Sequence, residues 1–267
     1  MRPFLFLLIP VFALACKKPP EAPATLDDLC GYLYGHFLDE DTEALEVGLE
    51  NLDNWLLQNI EATKEGYSVT NLASETVNAI DDREHDLEGL VGAAVGTEGP
   101  YTPQALADTL ILVPPTELSP GMYVTYDRTY LPGGDEGKRN AQCFVDQECE
   151  FLEVDNVMSS TYLLGLTVDT STHGQYRWVE TVEGQAMLQR TWLSAAAELN
   201  FDWIAVDDQF FLNVIVPRDD GAVRLTATWI VARFIGVDMP EGTALNMVID
   251  QMMSIYVDVD AWLAAEG

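Results

Sequence analysis

Two alternating apolar runs, Phe210–Val216 and Val223–Phe234, constrain the fold of this chain more than any other feature. Apolar side chains recur at every second position in both, the period of a half-buried strand. Arg218-Asp219-Asp220-Gly221-Ala222 separates them. A two-residue turn at Asp220-Gly221 places Val216 opposite Leu225, Val214 opposite Ala227, Leu212 opposite Trp229 and Phe210 opposite Val231. A one-residue slip would set the same side chains against Arg224, Thr226 and Thr228. The runs therefore predict an antiparallel hairpin with one apolar face in need of a cover. Leu245, Val248, Ile249, Met252, Tyr256, Val259 and Leu263 follow at helical spacing, and the long amphipathic helix they predict can supply it.

Further strands are expected at Met122–Leu131, Phe151–Asp155, Ser160–Val168, Tyr176–Val182 and Gln185–Leu193. A turn at Glu183-Gly184 would oppose Arg177 to Arg190, which is unfavourable. Either the register differs, or an anion, from the protein or from a ligand, lies between them. Pro132–Gly137 reads as a glycine-rich loop. Upstream the period is helical. Leu26, Leu29, Cys30, Leu33 and Phe37 share one face behind a Thr25 N-cap. Leu45, Leu49, Leu52, Leu56 and Ile60 share another. Shorter helices are expected at Ala73–Ile80, Leu87–Val95 and from Pro103 to Pro114, with Asp81–Asp86 as a solvated connector around His85. The fold class is α+β: a helical region over 26–118, then an antiparallel sheet packed by a C-terminal helix over 119–267, forming one domain with the helices or a separate one.

The chain begins MRPFLFLLIPVFALAC. A basic residue, a short apolar core and small residues before Cys16 make a secretory leader, too short to span a bilayer. Ala13-Leu14-Ala15-Cys16 resembles the lipobox of bacterial lipoprotein signal peptides. The resemblance implies a leader of residues 1–15 and acylation of Cys16, and Pro19, Pro20 and Pro23 make 16–25 an extended, Pro-rich tether. With Lys17 following the cysteine, the resemblance also implies attachment to the outer membrane of a Gram-negative cell. Several acyl chains hold a protein stably on a membrane. The alternative is an ordinary signal peptide cut after Ala15.

Export places the remaining cysteines where disulfides persist. Cys143 and Cys149, close in sequence, are the expected pair, with Cys30 as a buried thiol; Cys30 bonded to either of them is the alternative. The net charge of −31 is spread along the chain, which argues against nucleic acid as a partner. No nucleotide, hydrolase or metalloprotease motif appears, and no cofactor or metal is expected. An antiparallel sheet closed by a long C-terminal helix resembles the helix-grip architecture of START-like lipid and polyketide binders. The first functional expectation is a non-catalytic, membrane-anchored module that binds other envelope proteins. The second is a binder of an apolar or anionic small molecule between sheet and last helix, at Arg177, Arg190, Phe210, Trp229 and Met252. A hydrolase assembled from distant carboxylates is the third.

Overall fold

A computed structural model describes residues 20–161, 165–236 and 242–266. The leader and Cys16 lie outside the described residues. The described part of the tether is pinned to the body, because Asn51 Nδ2 donates to the carbonyls of Ala22 (3.1 Å) and Pro23 (2.9 Å).

The chain is α+β. Helices α1 (Leu26–Gly35) and α2 (Glu43–Lys64) form an antiparallel pair. Thr25 caps α1 by accepting from the Asp28 N–H, so one orphaned amide of the first turn is satisfied. The strands are β1 (Tyr67–Ser68), β2 (Val91–Gly99), β3 (Tyr123–Tyr130), β4 (Phe151–Thr161), β5 (Thr167–Thr181), β6 (Gly184–Leu193), β7 (Glu198–Leu199), β8 (Ile204–Arg218) and β9 (Gly221–Phe234). They pair in the order β1-β2-β9-β8-β6-β5-β4-β3, all antiparallel, with β7 beside β5. Between them lie α3 (Ser74–Val77), α4 (Pro103–Leu112), α5 (Pro115–Leu118) and α6 (Gly134–Val145); α7 (Thr243–Glu266) closes the chain. No helix among the described residues is long and apolar enough to cross a membrane.

Both faces of the sheet are covered. On one, Leu188, Phe210, Leu212, Val214, Leu225, Ala227 and Trp229 form one buried cluster with α1 and α2 side chains such as Leu29, Leu33, Tyr34, Leu49 and Leu52. On the other, α4, α6 and α7 meet Val154, Tyr176, Trp178, Met187 and Ile215, while Met252 and Tyr256 of α7 pack on Ala93 and Val95. The apolar face of the hairpin is thus covered by the N-terminal pair, and α7 takes the face carrying Arg224, Thr226 and Thr228.

Both hairpins differ from expectation by two residues in register. Phe210 pairs Trp229, Leu212 pairs Ala227, Val214 pairs Leu225 and Val216 pairs Val223, closed by Arg218 opposite Gly221. A two-residue shift preserves the faces. Gly221, at φ +147, therefore ends the turn; a Cβ there would lie 2.1 Å from the Gly99 carbonyl oxygen. In the other hairpin Thr181 pairs Gly184. Arg177 then faces Leu188 and Arg190 faces Gln175, so the expected clash of like charges does not arise.

Three segments depart in kind. Leu87–Val95 is no helix, since Val91 opens β2. Gly134–Val145 is a helix, not a loop. The strand expected at Ser160–Val168 is a reversal, with Thr161 pairing Thr167; residues 162–164 lie outside the described ones. Cys143 and Cys149 are bonded, tying α6 to the start of β4, and Cys30 is a buried thiol.

Candidate functional site

The face under α7 is laid out by register. One row runs Tyr130–Val154–Gly174–Thr191–Phe211–Thr228–Ala93, and the next runs Leu152–Tyr176–Gln189–Asn213–Thr226–Val95. Their centre is small or polar and uncharged. Gln189 Nε2 donates to Thr191 Oγ1 (3.0 Å), Asn213 Nδ2 reaches Gln189 Oε1 (3.5 Å) and Thr226 Oγ1 donates to Asn213 Oδ1 (3.3 Å). The Tyr256 hydroxyl of α7 joins the row at 2.7 Å from Thr226 Oγ1. Burial pushes the Tyr256 phenol up to about 12, so it remains a neutral hydrogen-bonding group near neutral pH.

These strands are sealed on one side and partly open on the other. Phe210, Leu212 and Val214 have no accessible surface, whereas Phe211 and Asn213, which alternate with them, are half-buried. Gln189 and Thr226 are half-buried too. These uncharged amides and hydroxyls in the middle of a covered sheet face satisfy one another. The partly exposed members of the row can still offer hydrogen bonds to a ligand, while the space beside α7 lined by Ala93, Thr228, Leu245 and Val248 is about 20 Å³.

A cation stands at the far side of this face. Arg128 of β3, partly buried, donates from Nε to Asn156 Oδ1 (3.1 Å) and from Nη2 to the Tyr126 hydroxyl (3.1 Å). Its Nη1 donates to the carbonyls of Leu110 (2.8 Å) and Ile111 (2.7 Å), in the last turn of α4. Asn156 in turn donates to Thr172 Oγ1 (3.1 Å). No carboxylate pairs Arg128 among the described residues. The helix end supplies only about half a negative charge.

The residues expected to form one site are not brought together. Phe210 and Trp229 lie inside the cluster under α1 and α2, and Met252 lies across the sheet from them. The physical reason is alternation: Phe210 and Trp229 are paired on the apolar face, and α1–α2 supplies a larger apolar cover than α7. Arg177 and Arg190 are also on the α1–α2 side. Arg177 is held by Glu150 (2.7 Å) and by the carbonyls of Phe37 and Asp39, just past α1. Arg190 donates to Gln175 Oε1 (2.8 Å) beneath the rings of Tyr34, Phe37 and Trp192.

His85 is not in a solvated connector. Its ring is fully buried, with Nδ1 2.9 Å from Asp208 Oδ1 and Nε2 3.0 Å from Asp81 Oδ1. Arg83 reaches the same Asp208 oxygen at 2.9 Å, and Trp192 Nε1 donates to Asp81 (2.9 Å). Both imidazole nitrogens are thus engaged with carboxylates. No group of three metal-binding side chains occurs among the described residues.

Sequence reasoning missed Gln189, Asn213, Thr226 and Arg128 as site residues. The signal available was the polar member of each alternating pair, on a strand whose other face was so apolar that it had to be buried first.

No family model matches the chain, and no curated protein is significantly similar to it. Solved structures similar to it include a STAR-related lipid transfer protein from Xanthomonas axonopodis, 11% identical, TM-score 0.39, covering 67% of this chain and 96% of that one. The human StarD13 lipid transfer and protein localization domain is 11% identical, TM-score 0.37, covering 76% and 94%. Ara h 8.0201 is 9% identical, TM-score 0.36, covering 66% and 99%.

Proposed function

We propose that this chain binds a small molecule on the sheet face that α7 and α4 share, without catalysis. The observation that carries the reading is the half-buried, uncharged row Gln189–Asn213–Thr226, on strands whose other face is sealed. A ligand with a polar group would hydrogen-bond to that row and lay apolar surface on Phe211. Arg128 and Arg224, rather than Arg177 or Arg190, are the cations on this face, and Arg224 is the one paired with a carboxylate, Asp260. Nothing in the fold favours the envelope interaction module.

Native mass spectrometry of the gently purified chain tests the reading. A small-molecule adduct is expected on the wild type and lost from Asn213→Trp, whose indole would cover the polar row, with the far-ultraviolet dichroism unchanged. A wild-type chain that carries no adduct and takes up none from a cell extract would sink the proposal.

We further propose that the body is held on a membrane through acylated Cys16. What supports this is the lipobox-like leader, together with a disulfide of the kind that persists in oxidising compartments. Metabolic labelling with a fatty-acid analogue should tag the chain, and Cys16→Ser should abolish the tag entirely. A tag that survives the substitution contradicts the anchor.

A further inference from the structure

A cleft lies at the border of the sheet, away from α7. The last β3–β4 pair is Tyr130 with Val154, and one more hydrogen bond, from the Leu131 N–H to the Glu153 carbonyl (2.9 Å), follows it. The chain then turns off into α6, while β4 runs on to Phe151. The gap left between α6 and the start of β4 has a volume of about 440 Å³ and is lined by Leu131, Pro132, Asn140, Phe151, Leu152 and Glu153. That size is in the range of small-molecule sites.

The charge among its described lining residues is negative. Asn140 Nδ2 gives one of its two N–H groups to the Leu131 carbonyl (3.1 Å), and the Asn140 amide oxygen can accept. Glu153 is the one ionisable lining residue. Its Oε1 accepts from Gln175 Nε2 (2.8 Å), and Gln175 is itself held by Arg190. This relay fixes the carboxylate without a direct ion pair to Arg190. His173 Nε2 lies 3.7 Å from the same Oε1, while its Nδ1 is bound to Asp155 at 2.8 Å. The Arg177 guanidinium, on the cross-strand partner of Phe151, is taken by Glu150. The Phe151 ring, 37% exposed, presents a face that attracts cations. The negative field of the whole chain raises the local concentration of cations further.

We propose that this cleft is a binding site for a small organic cation, an ammonium group on an apolar stem. The ammonium is held by Glu153, the Asn140 amide oxygen and the Phe151 ring. The stem lies on Leu131 and Pro132. The site is independent of the polar row near α7 and takes a ligand of the opposite charge from one that Arg128 would hold there.

The test is calorimetric titration at low salt with phenethylammonium and its neutral counterpart 2-phenylethanol, on the wild type, Glu153→Gln and Asn213→Trp. The wild type should prefer the ammonium by about tenfold, as expected for a charge-assisted contact. Glu153→Gln keeps an acceptor for Gln175, sits on a partly exposed side chain and should melt like the wild type while losing the preference. Asn213→Trp should keep it. Absence of the preference in the wild type, or its survival in Glu153→Gln, as attraction to the overall charge would give, overturns the assignment. Loss in Asn213→Trp would place the amine under α7 and overturn it as well.

Discussion

Asp208→Ala should destabilise the fold by about 3–5 kcal/mol, the cost of breaking a buried charge pair from one side. The Asp208 side chain is 6% exposed and the His85 ring 0%. Removing the carboxylate strips Nδ1 of its partner and leaves Arg83 to its carbonyl contacts with Leu193 and Asp207. The loop that carries His85 also brings Ile80, Leu87 and Leu90 against the main core, so their packing is weakened too. Replacing both His85 and Asp208 with leucine should cost less than the sum of the single changes, because no unpaired polar group then remains between them. Urea unfolding of the two single variants and the double variant checks this. Additive costs would mean that the pair is not coupled.

Trp229→Ala should cost a similar amount, about 3–5 kcal/mol. The indole has no accessible surface, and the Tyr34 ring of α1 meets it edge-on at 5.8 Å. The lost contacts lie between the N-terminal helices and the sheet, so the variant should unfold at lower denaturant in one transition. Separate transitions for the α1–α2 pair and the sheet would contradict the shared core. The sheet itself needs the first half of the chain, since β2 pairs β9 over nine residues.

What the sequence conveyed was faces more than registers. Alternation in Phe210–Val216 and Val223–Phe234 separates the apolar side from the polar one, but two registers differing by two residues satisfy it equally. Position was decided by close approach of the Gly99 backbone to Gly221, a contact between residues far apart in the chain. Strand β2 was hidden for a related reason. Val91–Gly99 is built of small residues because α2 crosses it: a Cβ on Gly96 would meet Thr63 Oγ1 at 3.0 Å and Leu56 at 3.3 Å. Such a segment lacks the bulky alternation of an ordinary strand.

Helix α6 was hidden by its glycines, which lower helix propensity. Gly137 is nonetheless required, because a Cβ there would fall 1.9 Å from the Tyr130 carbonyl oxygen. His85 looked solvated because its neighbours in sequence are charged; Asp208, the partner that buries it, is 123 residues away. The candidate site shares this limit. Gln189, Asn213 and Thr226 each read as the outward residue of a strand, and only the tertiary arrangement shows that outward means under α7.

The contrast between the sealed side chains of Phe210, Leu212 and Val214 and the partly open ones of Phe211 and Asn213 is the central claim, and thiol labelling tests it most directly. Leu212→Cys and Asn213→Cys would be made in a Cys16→Ser background, where Cys30 is buried and the other two cysteines are bonded. In the native state Asn213→Cys should react with a small thiol reagent without unfolding, and bound ligand should slow the reaction. Leu212→Cys should react only as fast as the whole chain unfolds. Equal protection at both positions would show that the face under α7 is sealed, and the binding site would have to be abandoned.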